Sequence, residues 1–355
     1  MSDRSPLGIP PSDASLSIAP PSLALRFLRA LASLKLTLAL ILLLLAGVLT
    51  IYYTKTRFIW ALALPFIGFA INLTATVLTN SVFRRQLALL VFHLALIAIA
   101  LLIAVERLTY LKGQVEVVEG ETFAGQMLRE ESGPWHPRRL DKLQLTNESF
   151  TVNYTNADGR LRRVDTRNEV AWVSPNGVAG RSIIGDQEPL LLGGYRFYTT
   201  INKGFAPVFI WRPADGGAER VGAVHLPSYP RLHLQQQNEW QLPGSATSVW
   251  VMLQIDEEIL SPDAPSQLRV PDKHKIIVRL DKARWELKPG DSIRLPDGVL
   301  VYQELRKWMG YDVTYNFTLP WLLAASILAV LSMAWHFGQK FRARPWNPGG
   351  NPNGK

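Results

Sequence analysis

Four stretches of the chain carry no Asp, Glu, Lys or Arg: residues 36–54, 58–83, 86–105 and 313–339. A helix rises about 1.5 Å per residue, so about 20 apolar residues cross the hydrocarbon layer of a bilayer. Each stretch is long enough. Backbone amides in lipid must bond within their own segment, so the stretches are expected to be helices rather than strands. Four such runs are hard to house as core helices of a soluble protein of 355 residues, of which only 19% are charged. The expected fold is therefore an integral membrane protein with four transmembrane helices, three N-terminal and one C-terminal. A large β-rich extracytoplasmic domain separates spans three and four. The first run starts after 35 residues and two more spans follow it closely, which fits a signal-anchor better than a cleaved signal peptide.

Basic residues in short flanks set the expected orientation. Arg4, Arg26, Arg29 and Lys35 precede the first span, Arg84 and Arg85 separate spans two and three, and Lys340, Arg342, Arg344 and Lys355 follow the last. The opposite short link has only Lys55 and Arg57. Both termini are thus expected in the cytoplasm of a bacterium, with residues 111–315 facing the periplasm across the inner membrane. The net charge of +9 is then a topology signal, and nucleic acid is not an expected partner. The division that follows is a flexible cytoplasmic N-terminus (1–34), three spans (35–110), the β-rich domain (111–315), a fourth span (316–339) and a flexible cytoplasmic tail (340–355).

Residues 113–308 alternate in a β pattern. Leu143, Leu145, Phe150, Val152 and Tyr154 are spaced by polar neighbours, and the turn at 156–159 precedes Leu161 and Val164. Residues 248–255, 275–280 and the pair of runs around Pro296-Asp297-Gly298 read as further strands. A sandwich or barrel-like sheet domain is the expectation. Trp308, Tyr311, Tyr315 and Trp321 are expected as interface aromatics at the mouth of the last span.

Little in the domain suggests chemistry of its own. The chain has no cysteine, which excludes disulfides, thiolate nucleophiles, cysteine-held zinc and covalent haem attachment to this chain. His136, His225, His233 and His274 fit no metal-binding spacing, and Gly193-Gly194-Tyr195 is a turn rather than a phosphate loop. No protease-type constellation is present. His93 is the most informative residue. It lies within the third apolar run, about 12 Å beyond the level of Arg85, where an ionisable side chain is costly. Two readings are open: a ligand to haem iron, or a hydrogen bond to a neighbouring helix, with Asn72 or Asn80 available. His336, near the end of the fourth run, is either a second ligand or an interface residue. Arg84 and Arg85 are topology signals or attractors of haem propionates.

The order of these features resembles the ResB (also CcsB) family of cytochrome c biogenesis proteins. Leu31-Ala32-Ser33-Leu34-Lys35-Leu36 is similar to the start of the family's first span. His93 matches its histidine in span three. Glu119-Gly120-Glu121-Thr122 and the segment from Pro189 through Gly193, Gly194 and Tyr195 to Tyr198 are similar to segments of its outer domain. The resemblance implies an accessory subunit of system II cytochrome c maturation, not catalytic alone. With a ResC/CcsA-type membrane partner it would carry haem b, held transiently, across the bilayer and present it to apocytochrome c. It implies His93 as an axial ligand, with the other ligand from the partner; His336 matches less well. The outer domain is shorter than is usual in the family, which leaves open service to another haem protein. The rival expectation is a membrane-anchored scaffold that binds no haem.

Overall fold

The computed structural model describes residues 22–55, 58–123, 125–157, 160–261 and 263–343. The chain divides into a helical unit, Met1–Ala104 with Pro320–Lys355, and a β unit, Val105–Leu319.

Six helices are present among the described residues: α1 (Leu23–Leu31), α2 (Leu34–Thr54), α3 (Trp60–Thr79), the short α4 (Val82–Arg85), α5 (Leu87–Thr109) and α6 (Leu319–Ala343). Four of them, α2, α3, α5 and α6, are long and apolar enough to cross a membrane. The expectation of a flexible N-terminus meets a difference here, because residues 23–31 are helical. Ser22 caps α1 by accepting from the Leu25 amide, and Leu23, Phe27, Leu28 and Leu31 recur at helical spacing beside Arg26 and Arg29. The Ser- and Pro-rich composition of the preceding residues obscures that period. Residues 340–343 likewise continue α6; the rest of the expected tail, and residues 1–21, lie outside the described residues.

Glycine lets α2 and α3 close on each other. A Cβ on Gly47 would stand 2.6 Å from the Ala61 carbonyl oxygen, and one on Gly68 would stand 2.6 Å from Leu40 Cδ2. Small residues are how apolar helices approach closely where no water drives them together. A single buried amide then joins three helices. Asn72 of α3 donates through Nδ2 to the Leu31 carbonyl at 2.6 Å and the Ser33 carbonyl at 3.3 Å, and accepts from the Thr37 hydroxyl at 2.9 Å. The Leu31 carbonyl is one of the orphan acceptors at the end of α1, so Asn72 acts as its cap.

The β unit has sixteen strands among the described residues. They are β1 (Leu111–Val118), β2 (Thr122–Phe123), β3 (Arg129–Ser132), β4 (Gln144–Ala157), β5 (Arg160–Val173), β6 (Ala179–Gly185), β7 (Leu190–Leu192) and β8 (Tyr195–Pro213). The remainder are β9 (Arg220–Ala223), β10 (Gln237–Gln241), β11 (Ser248–Ile255), β12 (Ser266–Gln267), β13 (His274–Leu280), β14 (Ala283–Leu287), β15 (Ser292–Leu295) and β16 (Gly298–Tyr315). All pairings are antiparallel and form three sheets. The largest runs β3-β1-β16-β8-β7, with β15 on β16 and β9 on β8. The others run β10-β11-β13-β14 and β12-β4-β5-β6, with β2 on β4.

The first sheet is built on a ribbon of two long strands. β8 and β16 pair from Gly298 opposite Pro213 to Tyr315 opposite Tyr195. The middle of β8, residues 203–209, is buried at every position, so both faces of the ribbon are covered there. One face packs into a continuous core with Phe197, Phe205, Phe209, Trp211, Tyr302 and Tyr311. Inner positions alternate cleanly in strands with one covered face: Val249, Val251 and Leu253 of β11, and Leu111, Val115 and Val117 of β1. Three of the four expected interface aromatics are buried in the β unit instead: Tyr311 and Tyr315 of β16 join this core, Trp308 of β16 packs in a separate small cluster with Val118 and Ala206, and only Trp321 is exposed, on α6. The charge-free run from 313 to 339 hid the change from strand to helix, because a strand buried in the sheet is as apolar as a span.

A chain of buried amides links the first sheet to the third. The Tyr311 hydroxyl donates to Asn168 Oδ1 at 2.7 Å, and Asn168 Nδ2 donates to Asn147 Oδ1 at 2.7 Å and to the Ser149 carbonyl at 2.8 Å. Asn147 Nδ2 donates to the Val117 carbonyl at 2.9 Å. β16, β5, β4 and β1 are tied in sequence, and both asparagines are fully buried.

Asn168→Ala should destabilise the β unit by about 2–3 kcal/mol, because it strands partners at both ends; Tyr311→Phe should cost about 1 kcal/mol. Thermal melts of the detergent-purified chain, followed by tryptophan emission, would show that order. Asn72→Ala should loosen α1 by about 1 kcal/mol, read as faster amide exchange around residues 31–37 with the β unit unaffected.

Candidate functional site

The six histidines divide by what their ring nitrogens touch. A carbonyl oxygen can only accept, so a ring nitrogen bonded to one must carry the proton, and in the neutral ring the other nitrogen keeps its lone pair. His136 and His274 are satisfied on both sides. His136 donates from Nδ1 to the Thr109 carbonyl at 2.9 Å and accepts at Nε2 from the Tyr195 hydroxyl at 2.9 Å. His274 donates to the Pro271 carbonyl at 2.8 Å and accepts from the Tyr302 hydroxyl at 2.8 Å. Both are structural, as the sequence implied. His233, on a short 3₁₀ turn, donates to the Pro230 carbonyl at 3.3 Å in an exposed position.

His93 is different. It lies on α5, and its Nδ1 donates to the Leu89 carbonyl of the same helix at 2.8 Å. Its Nε2 has no hydrogen-bond partner among the described residues. Phe83 of α4 meets the imidazole edge-on with ring centroids 4.5 Å apart, and Phe92 does so at 5.4 Å. The two asparagines that could have bonded it are engaged elsewhere: Asn72 as above, and Asn80 with the Val82 amide at 3.0 Å. The result is a half-buried imidazole of fixed tautomer with its Nε2 lone pair unclaimed, the arrangement a metal-ligating histidine requires. Arg84 and Arg85 are exposed on α4, beside the buried Phe83.

His336 lies on α6 in one buried row with Ala325, Ala329 and Ser332, at helical spacing. It makes no hydrogen bond among the described residues and meets the ring of Phe337 at 5.7 Å. No hydrogen bond or ring contact among the described residues joins His336 to His93.

His225, in the β unit, is held by a carboxylate: its Nδ1 lies 3.0 Å from Glu116 Oε2. The sequence spacing concealed this pair, since the two residues are 109 positions apart and meet only through the sheet.

One further titratable group stands out. Lys203 of β8 is 2% exposed and has no carboxylate partner among the described residues. Its Nζ lies 3.4 Å from the Ile201 carbonyl and 5.9 Å from the centre of the Tyr154 ring. Burial pushes its ammonium down to about 8, with nearby Arg163 adding to the shift and Asp186 opposing it. Burial likewise pushes Tyr154 up to about 12.

The ResB-like family model matches residues 77–204, a stretch that includes His93 and runs from the end of α3 into β8. The matched stretch is a little over a third of the chain. Among solved structures, the cytochrome c haem lyase CcmF is similar at 12% identity and a TM-score of 0.28, over 88% of this chain. The chain spans 38% of that protein's length. No curated protein matches the chain.

Lys203 sets a pH dependence. Between about pH 8 and pH 10 the unfolded chain holds a proton on this lysine that the folded chain has released, so stability rises with pH across that window. Urea midpoints of the purified chain should therefore increase from pH 8 to pH 10, and Lys203→Met should flatten the rise and raise the midpoint at pH 7.

Proposed function

We propose that the chain is a membrane-embedded subunit for cytochrome c biogenesis that handles haem as cargo. The observation that carries this reading is His93: an imidazole within an apolar helix, its proton committed to the Leu89 carbonyl and its Nε2 without a partner among the described residues. The stretch matched by the ResB-like model includes it. In this reading the four apolar helices span a bacterial inner membrane with both termini in the cytoplasm, and the β unit faces the periplasm. Haem enters from the cytoplasmic leaflet. Imidazole is a good axial ligand for haem iron, and His93 Nε2 would supply one. Phe83 and Phe92 limit how the ring can turn, and the apolar helix faces would hold the macrocycle. Arg84 and Arg85 would meet the propionates. A ResC/CcsA-type partner would provide the second ligand and the chemistry that joins haem to apocytochrome c. The β unit would hold that partner or position the apocytochrome.

The test is an absorbance spectrum, oxidised and dithionite-reduced, of the complex purified in detergent with a ResC-type partner. Wild type should show a Soret band with sharp reduced α and β bands, and His93→Ala should lose most of the bound haem and lower cytochrome c yield. Equal haem in both would remove His93 as a ligand. No haem in either, with the complex intact, would leave a scaffold.

A further inference from the structure

The β unit carries a second imidazole prepared in the same way, and it faces a cleft. The cleft is about 660 Å³ in volume, within the range of small-molecule sites. It is lined by Glu116 of β1, Trp308 of β16, Asn238 of β10, the loop from His225 to Leu232, and residues 126–128. Trp308 packs in a small cluster with Val118 and Ala206, separate from the main core. Trp308 stands directly across from Gly204 in register, and a Cβ on Gly204 would lie 2.9 Å from Trp308 Nε1. Only glycine leaves room for the indole there. The indole N–H donates to the Leu226 carbonyl at 3.0 Å, which locks the ring as a platform. His225 lies over that platform, centroids 5.8 Å apart and planes 26° from parallel.

The Glu116 carboxylate can only accept when ionised, so His225 Nδ1 is the protonated nitrogen. Nε2 has no partner among the described residues. A carboxylate behind an imidazole is the usual support for a metal-bound histidine, and it makes the ring a stronger donor. A bare divalent ion would need about three protein ligands. Among the described residues no group of three His, Asp or Glu side chains is placed to hold one. Iron already held by a tetrapyrrole brings four nitrogens of its own and needs one protein ligand. The cleft also has an apolar side in Leu226, Pro227 and Leu232, a rim residue in Leu128 (68% exposed), and an exposed guanidinium in Arg231 suited to a carboxylate.

We infer that this cleft is a second haem-docking site, with His225 Nε2 as axial ligand, Glu116 as the residue that positions and polarises it, and Arg231 as the partner of a propionate. The inference rests on the haem-handling reading, but on different residues in a different unit of the chain.

The test titrates ferric haem into the detergent-purified full chain and follows the Soret band. His93→Ala should still bind haem, with a band that His93→Ala/His225→Gly loses and that added imidazole restores. Glu116→Gln in the His93→Ala background should keep the band and raise the midpoint potential, because the neutral amide donates less electron density through the ring. A His93→Ala chain that binds no haem overturns the second site and leaves the first. An unchanged band in the double variant, or a lost band that imidazole fails to restore, overturns His225 as ligand. Binding that depends on His225 but not on His93 supports this site while removing the membrane assignment.

Discussion

The antiparallel pairing of β8 with β16 is the constraint on which the β unit depends. These two strands carry the largest rings of the core, and their central residues are covered on both faces. Each of the other sheets is positioned from this ribbon. The third sheet is tethered through Tyr311, Asn168 and Asn147, a line of amides in which donor and acceptor alternate without a gap. A buried polar chain of this kind is favourable only when complete, since each unpaired member would keep its desolvation cost. The reward for completeness is register: a slip of one residue in β4 or β5 would take the asparagines to the wrong face.

The same logic of committed donors sorts the histidines. Four kinds of acceptor stand behind Nδ1: main-chain carbonyls in helix, loop and turn, and one carboxylate. Where a tyrosine hydroxyl also reaches Nε2, the ring is an internal strut, as at His136 and His274. Where no described residue does, at His93 and His225, the ring is oriented through Nδ1 and its Nε2 lone pair stays unshared. Depth does not make this distinction. His336 is as buried as His136, yet no hydrogen bond from the described residues orients it.

Much of the architecture was legible in the sequence because its signals are local. The four apolar runs appear as helices, the strand at 248–255 has the observed bounds, and the hairpin of β15 and β16 turns where Pro296-Asp297-Gly298 lies. The position of His93 inside an apolar helix was legible too. Non-local features were not. The role of Asn72 was not legible, because nothing in the sequence says that its amide reaches back 41 residues to the end of α1. Trp308 and Tyr311 were placed by proximity to the last span, although the alternation of a long strand was the competing signal. The Glu116–His225 pair depends on β1, β8 and the loop after β9 coming together, which no spacing encodes.

The pairing of β1 with β16 has a further consequence. Leu111, where the chain enters the sheet, is directly opposite Tyr315, where it leaves. Some two hundred residues therefore begin and end on neighbouring strands, about 5 Å apart. Their ends are pinned by eight consecutive residue pairs. In geometric terms the β unit is an insert with a closed neck. Loops within it can lengthen or shorten without altering the separation of the two points at which it is joined to the rest of the chain.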